Sequence, residues 1–314
     1  MSRLIYAGTP EPAVEPLRRL VADGHDVAAV LTRPDAPTGR KRVLTPSPVA
    51  SVADELGIPT IKASRIDDQT HEALAAVDAD LAVVVAYGGL IPERTLNVPR
   101  HGWVNLHFSE LPLLRGAAPV QWALIQGMDA TAATVFVLEK GLDTGPIVGS
   151  TPLPIQPEDT AATLLAKLSH EGAELLSRCV PDLIAGRIEP TPQQGEPTLA
   201  PKLNRNDGRV DLSASAQAVH DRIAGVTPEP GAFVSLGEGT LKLGRVDVVQ
   251  ESVDSMHQDL GAGHLAVESG KHGRVLLGTG HGAVALTQVQ PAGKKMMNAT
   301  DWARGIDLDG TVLG

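Results

Sequence analysis

Over roughly its first 180 residues the chain alternates short β-type runs with helical segments, and this alternation constrains the fold more than any other feature. Arg3–Ala7, Val27–Leu31, Leu81–Val85, Trp103–Asn105 and Thr134–Val137 read as strands. Between them, Pro12–Ala22 opens with proline at a suitable first helical position. Ser47–Glu55 follows a Pro-rich loop with a serine cap. The pattern predicts an α/β fold with a doubly wound, mostly parallel sheet. From Ala161 to Val180, Leu164, Leu168, Leu175 and Cys179 recur on one helical face and predict the longest helix of the chain.

After that helix, G-R-I-E-P-T-P-Q-Q-G-E-P-T-L-A-P (Gly186 to Pro201) replaces apolar periodicity with Pro, Gly and Gln, as a linker would. The expected organisation is a first domain over 1–188, a linker over 189–204 and a second domain over 205–314. In the second, Ser213–Ile223 reads as helix, followed by short strands separated by glycines: A-F-V-S-L, L-K-L-G-R-V-D-V-V, G-R-V-L-L-G-T and G-A-V-A-L-T-Q-V. A small β-barrel is expected there.

Composition narrows the function classes. With 314 residues, 42% of them hydrophobic and 20% charged, the chain has the makeup of a soluble globular protein, and two domains are expected. No apolar run reaches the roughly 18 residues of a membrane span. The start, M-S-R-L-I-Y-A-G-T-P, lacks the basic segment and long apolar core of a signal peptide, so a cytoplasmic location is expected. The single cysteine, Cys179, lies in an apolar helical pattern and reads as core filler. His257, His264, His272 and His281 show no ligand spacing, and no metal is expected. Gly8-Thr9-Pro10 is not a dinucleotide fingerprint, and there is no phosphate-binding P-loop. The net charge of −10 argues against a general nucleic-acid binder, which makes any local basic cluster informative.

The candidate site is V-N-L-H-F-S-E-L-P-L-L-R-G, Val104 to Gly116. On a strand, residues two apart share a face, so Asn105 and His107 project together from its C-terminal end, where open α/β sheets bind ligands. Imidazole offers a base near neutral pH, and a carboxamide NH₂ donates to a developing oxyanion without changing protonation state. The pair suits acyl transfer. Asp143, in the glycine-flanked loop G-L-D-T-G-P, is the candidate to orient the imidazole. Spacing alone favours a plainer reading: a strand-end cap, a satisfied interior histidine and a turn-forming aspartate.

Taken in order, Asn-x-His-x-Ser-x-Leu-Pro-x-x-Arg-Gly and then Gly-Leu-Asp-Thr-Gly resemble the folate-dependent formyltransferases. The resemblance extends to A-G-T-P at Ala7–Pro10, R-P-D-A-P-T-G-R at Arg33–Arg40, S-P-V at Ser47–Val49, A-Y-G at Ala86–Gly88, and A-P-K-L followed by D-G-R-V-D. It implies that Asn105, His107 and Asp143 are catalytic, that 10-formyltetrahydrofolate is the formyl donor, and that the turn Ser109, Glu110, Leu111, Pro112 binds it. Glu110 stands where the family usually has leucine. Ala86–Pro92 resembles the wall of the family's pterin pocket, which implicates Tyr87 and Gly88 in folate binding.

The accepting amine is the remaining choice: methionine on initiator tRNA, a nucleotide-linked amino sugar, or a purine precursor. The purine branch is single-domain with a glycine-rich phosphate loop, unlike this chain. The loop L-T-R-P-D-A-P-T-G-R-K-R-V-L-T-P-S-P-V carries Arg33, Arg40, Lys41 and Arg42 against one acid, Asp35. It resembles the tRNA-contacting insertion of the branch that acts on initiator methionyl-tRNA, which implies tRNA binding by Arg40, Lys41 and Arg42. Against this, the chain from Ala200 onward holds 11 basic and 13 acidic residues, a formal −2. The expected partners are initiator methionyl-tRNA and folate, with no membrane and the chain monomeric. The alternatives are an amino-sugar formyltransferase and a non-catalytic folate or tRNA binder.

Overall fold

A computed structural model of the protein describes residues 2–39, 42–249, 260–268, 273–308 and 310–314. In chain order the first elements are β1 (Arg3–Gly8), α1 (Val14–Ala22), β2 (Asp26–Thr32), the short pair β3 (Ala36–Thr38) and β4 (Val43–Thr45), and α2 (Pro48–Glu55). Then come β5 (Thr60–Lys62), α3 (Asp68–Ala75), β6 (Leu81–Val85), α4 (Glu93–Leu96), β7 (Trp103–His107) and β8 (Arg115–Gly116). The series ends with α5 (Pro119–Ile125), β9 (Ala130–Val137), β10 (Ile147–Pro154), α6 (Ala161–Ile184) and β11 (Leu199–Ala200).

Seven strands form one sheet in the order β10-β9-β7-β6-β1-β2-β5. The pairs among β5, β2, β1, β6 and β7 are parallel, whereas β9 joins β7, and β10 joins β9, antiparallel. The doubly wound expectation holds. Central β6 is buried along its whole length, as a strand covered on both faces must be. β10, I-V-G-S-T-P-L-P, escaped the sequence reading because its prolines are unlike a strand interior. As the last strand of the order it tolerates them, since its outer edge needs no donors. The Ser47 cap is observed: its hydroxyl oxygen accepts the Ala50 N–H at 3.1 Å.

Strand β7 carries the site. Its Leu106 faces α6, where a Cβ added to Gly172 would lie 2.6 Å from Leu106 Cδ2, so glycine lets helix and strand approach closely. The alternate face holds Trp103, packed in a core cluster with Ile5, Val84 and Tyr87, and then Asn105 and His107 toward the strand end.

The chain divides into two compact units, and the division differs from the expected one. The first comprises 1–119, 130–154 and 165–200; the second comprises 120–129, 155–164 and 201–314. Two excursions of the expected first domain thus group with the second unit. There Gly225 permits close approach to the Gln121 carbonyl, and the Trp122 indole N–H donates to the Pro201 carbonyl at 2.8 Å.

Residues 189–200, expected as linker, are built into the first unit. Thr191 and Ile147 exchange both backbone hydrogen bonds, and β11 pairs in parallel with β8. A Pro-rich, aperiodic stretch looks like a linker in sequence, yet backbone groups at both of its ends, at Thr191 and at Thr198, find fixed partners.

The second unit adds α7 (Ala216–Gly225) and two four-stranded antiparallel sheets. One has the order β12 (Phe233–Leu236), β13 (Gly239–Leu243), β18 (Gln288–Pro291), β19 (Met297–Asn298). The other has the order β14 (Val246–Val248), β17 (Ala283–Leu286), β16 (Val275–Gly278), β15 (Leu265–Val267), and α8 (Ala299–Ala303) follows. Both sheets contribute to one core, with Val234, Leu241 and Val289 from the first and Val275, Leu277 and Val284 from the second. The run L-K-L-G-R-V-D-V-V, expected as one strand, breaks at Gly244-Arg245 and passes from one sheet to the other.

Candidate active site

His107 is 6% exposed, and its Nε2 lies 3.0 Å from the Leu114 carbonyl oxygen. A carbonyl only accepts, so Nε2 carries the proton and neutral His107 presents its lone pair at Nδ1. Nδ1 is 3.9 Å from Asp143 Oδ2, beyond hydrogen-bond range. Asp143, the candidate to orient the imidazole, therefore makes no direct hydrogen bond to it; the carboxylate accepts the Gly116 N–H at 2.8 Å. Burial pushes the His107 pKa below its ordinary value, opposed by the Asp143 charge and the Leu114 carbonyl. A group so placed stays neutral at pH 7 and gains a facing carboxylate once it takes a proton. Phe136 of β9 packs edge-on against the ring, with centroids 6.4 Å apart and planes at 86°.

Asn105, on the same face of β7, is partly buried, and its carboxamide has no hydrogen-bond partner among the described residues. A strand-end cap would spend that carboxamide on backbone; this one is free to donate.

The backbone around the site departs from ordinary geometry at named positions. Asp143 and Leu114 sit at φ +50° and +57°, conformations that cost L residues energy unless fixed by their surroundings. Gly116, at φ +125°, is required: a Cβ there would lie 2.7 Å from the Ala200 carbonyl oxygen. Gly145 is equally constrained, with a Cβ falling 1.7 Å from the Val137 carbonyl oxygen.

The expected folate residues divide. The Ser109 hydroxyl is fully buried and donates to the Leu113 carbonyl at 2.6 Å, while Ser109's own carbonyl accepts the Thr134 hydroxyl at 2.7 Å. Its side chain thus shapes the turn and has its donor spent. Leu111 and Pro112 are buried, and Glu110 points outward. Tyr87 is 1% exposed, with its hydroxyl donating to the Ala63 carbonyl at 2.8 Å, and burial raises its pKa. It is a core side chain. Gly88, at φ +77°, follows β6, which neighbours β7 at Val84 and Asn105, so Ala86–Gly88 lies at the same sheet end as Asn105 and His107.

Of the expected tRNA-binding residues, Arg40 and Lys41 lie outside the described residues. Arg42 is exposed, at φ +50°, immediately before β4. The loop's other cation is committed: Arg33 Nη1 donates to the Ser64 and Gly88 carbonyls, at 2.7 and 3.2 Å. Asp35 pairs with Lys62 at 2.6 Å.

Four contributors went unassigned in the sequence reading: the Leu114 carbonyl, the Gly116 N–H, Thr198, whose hydroxyl oxygen accepts the Leu114 N–H at 2.8 Å, and Gln193. The Arg-Gly ending of the motif was their one visible signal. Among the described residues no group of three or more His, Cys, Asp or Glu side chains is arranged to hold a metal ion, and no helix is long and apolar enough to cross a membrane.

Residues 3–180 match the formyl transferase family and residues 202–307 its C-terminal domain. The chain is 51% identical to a methionyl-tRNA formyltransferase of Arthrobacter sp. (strain FB24), with 99% of each chain covered. It is 53% identical to that of Paenarthrobacter aurescens (strain TC1), with 97% of each covered. The fold is shared with an N-formyltransferase from Helicobacter canadensis solved with folinic acid and dTDP-3-aminofucose, at a TM-score of 0.68 and 17% identity over 93% of this chain and all of that one. With half its residues identical to these relatives over nearly the full length of both, the chain belongs to the methionyl-tRNA formyltransferase family.

Proposed function

We infer that the protein transfers the formyl group of 10-formyltetrahydrofolate to the free amino group of methionyl initiator tRNA, supplying translation initiation. The observation that carries the chemistry is the free Asn105 carboxamide beside a neutral His107 whose Nδ1 faces the Asp143 carboxylate at 3.9 Å. The amine nitrogen bonds to the formyl carbon, and the carbonyl electrons move to oxygen. Asn105 donates to that oxyanion. The proton released by the amine passes to His107 Nδ1, where Asp143 stabilises the resulting charge. When the carbonyl reforms, the bond from the formyl carbon to N10 breaks, and the proton on His107 goes to N10. The products are formylated methionyl-tRNA and tetrahydrofolate.

Folate contacts are assigned to the backbone of Gly88 and of the Ser109–Pro112 turn, because the Tyr87 and Ser109 hydroxyls already have internal acceptors. Arg40, Lys41 and Arg42 grip the tRNA. The enzyme acts as a cytoplasmic monomer. Incubation with 10-formyltetrahydrofolate and charged initiator tRNA, uncharged tRNA or a nucleotide-linked amino sugar tests the assignment. Transfer to charged tRNA alone is expected. Transfer to the sugar alone would reassign the acceptor, and none to any of the three would leave a binding protein.

A further inference from the structure

Gln193 lies in the stretch whose composition resembles a linker, yet its carboxamide is fully engaged beside the reacting groups. Nε2 donates to the carbonyls of Asp143 and Gly145, at 2.7 and 2.8 Å. Oε1 accepts from Nε and Nη2 of Arg115, at 3.2 and 2.6 Å. Both partners adjoin the catalytic geometry: Arg115 lies between Leu114, whose carbonyl fixes the His107 tautomer, and Gly116, whose N–H holds the Asp143 carboxylate. The side chain therefore joins two segments that each carry a left-handed residue, Leu114 and Asp143, and adds a second tie beside the single Gly116 N–H to Asp143 hydrogen bond.

We propose that Gln193 is a positioning residue for formyl transfer: by pinning the Asp143–Gly145 turn to Arg115 it holds the Asp143 carboxylate against Gly116 and in front of His107 Nδ1. The role needs an amide. Only a carboxamide both donates to two carbonyls and accepts from a guanidinium at one position. The segment that delivers Gln193 is itself anchored on both sides, by Thr191 on Ile147 and by Thr198 on Leu114. The segment thus acts as a brace on the site.

The proposal rests on Asp143 acting in transfer, and the test separates the two. Gln193→Glu keeps an acceptor for Arg115, and indeed an ion-pair partner, while losing both donations. It should fold with an unchanged melting temperature yet lose about 10-fold or more in kcat, with little change in KM for either substrate. Gln193→Leu, which removes all four hydrogen bonds, should lose at least as much. In the Asp143→Asn background, Gln193→Glu should then cost less than twofold, because residues acting through one group are not additive. If Asp143→Asn alone leaves kcat intact, the reading of Asp143 fails. If Asp143→Asn lowers kcat but Gln193→Glu does not, or if the two losses multiply independently, the positioning role is overturned.

Discussion

The wall around His107 and the hairpin β3–β4 belong to the same unit, yet they are built on opposite rules. In the wall, a buried imidazole, a left-handed aspartate and a glutamine with four hydrogen bonds leave each other little room to move. In the hairpin every strand residue is exposed, including Val43 at 60% and Leu44 at 68%, and ties such as Lys62 with Asp35 and Arg33 with Gly88 sit near its base. The contrast fits the tasks proposed for the two regions. Stabilising a transition state requires donors already in place, because reorganising them during the reaction would raise the barrier. Gripping phosphates requires charge, which acts over several ångströms and tolerates adjustment.

Substitution in the wall should therefore change kcat, and in the hairpin KM for tRNA. The largest effect is expected for Asn105→Ala and His107→Ala, with kcat lower by about 10²–10⁴-fold and folate affinity, read by fluorescence titration, nearly unchanged. Wild-type turnover in either folded variant would remove its catalytic role.

Asp143→Asn should cost somewhat less, on the order of 10²-fold, and it carries a signature in pH. Burial lowers the His107 pKa and the Asp143 charge raises it, so neutralising Asp143 lowers it further. The acid limb of the kcat/KM profile should then move to lower pH. An upward move would mean that Asp143 does not face the working imidazole.

Replacing Arg40, Lys41 and Arg42 with alanine should raise KM for tRNA about 10-fold and reduce the salt slope by up to roughly three charges' worth, leaving kcat and folate affinity alone. Unchanged kinetics and salt response would make the hairpin a merely solvated loop. The smallest effect is read by hydrogen exchange: the Arg115 and Thr191 amides, bonded to Thr198 and Ile147 carbonyls, should be protected well beyond those of Thr38 and Val43. Equal exchange would return residues 189–200 to the status of linker.

How much of this was legible depended on how locally each feature is encoded. The five expected strands are present, and β6 has the expected bounds. β7 runs two residues past its expected end because pairing of His107 with Thr134 continues a ladder that polar side chains seemed to close. β5 was missed, being only three residues long at the sheet margin, and β10 was hidden by its prolines. The brace over 189–200 was misread because composition reports how readily a segment could be disordered, not whether acceptors elsewhere in the fold are waiting for it.

The sequence by itself determined that Asn105 and His107 share a face at the end of a strand, since a period of two is a property of the extended backbone and needs no partner. It also showed the motif order by which the family is recognised. Tertiary structure decided which atoms meet. The Leu114 carbonyl accepts the hydrogen bond from Nε2–H, Gly116 rather than His107 holds the Asp143 carboxylate, and Gln193 ties Asp143 to Arg115 from 50 residues away in sequence. Such contacts depend on how strands stack and where loops of unlike composition find open hydrogen bonds, and no local periodicity encodes that.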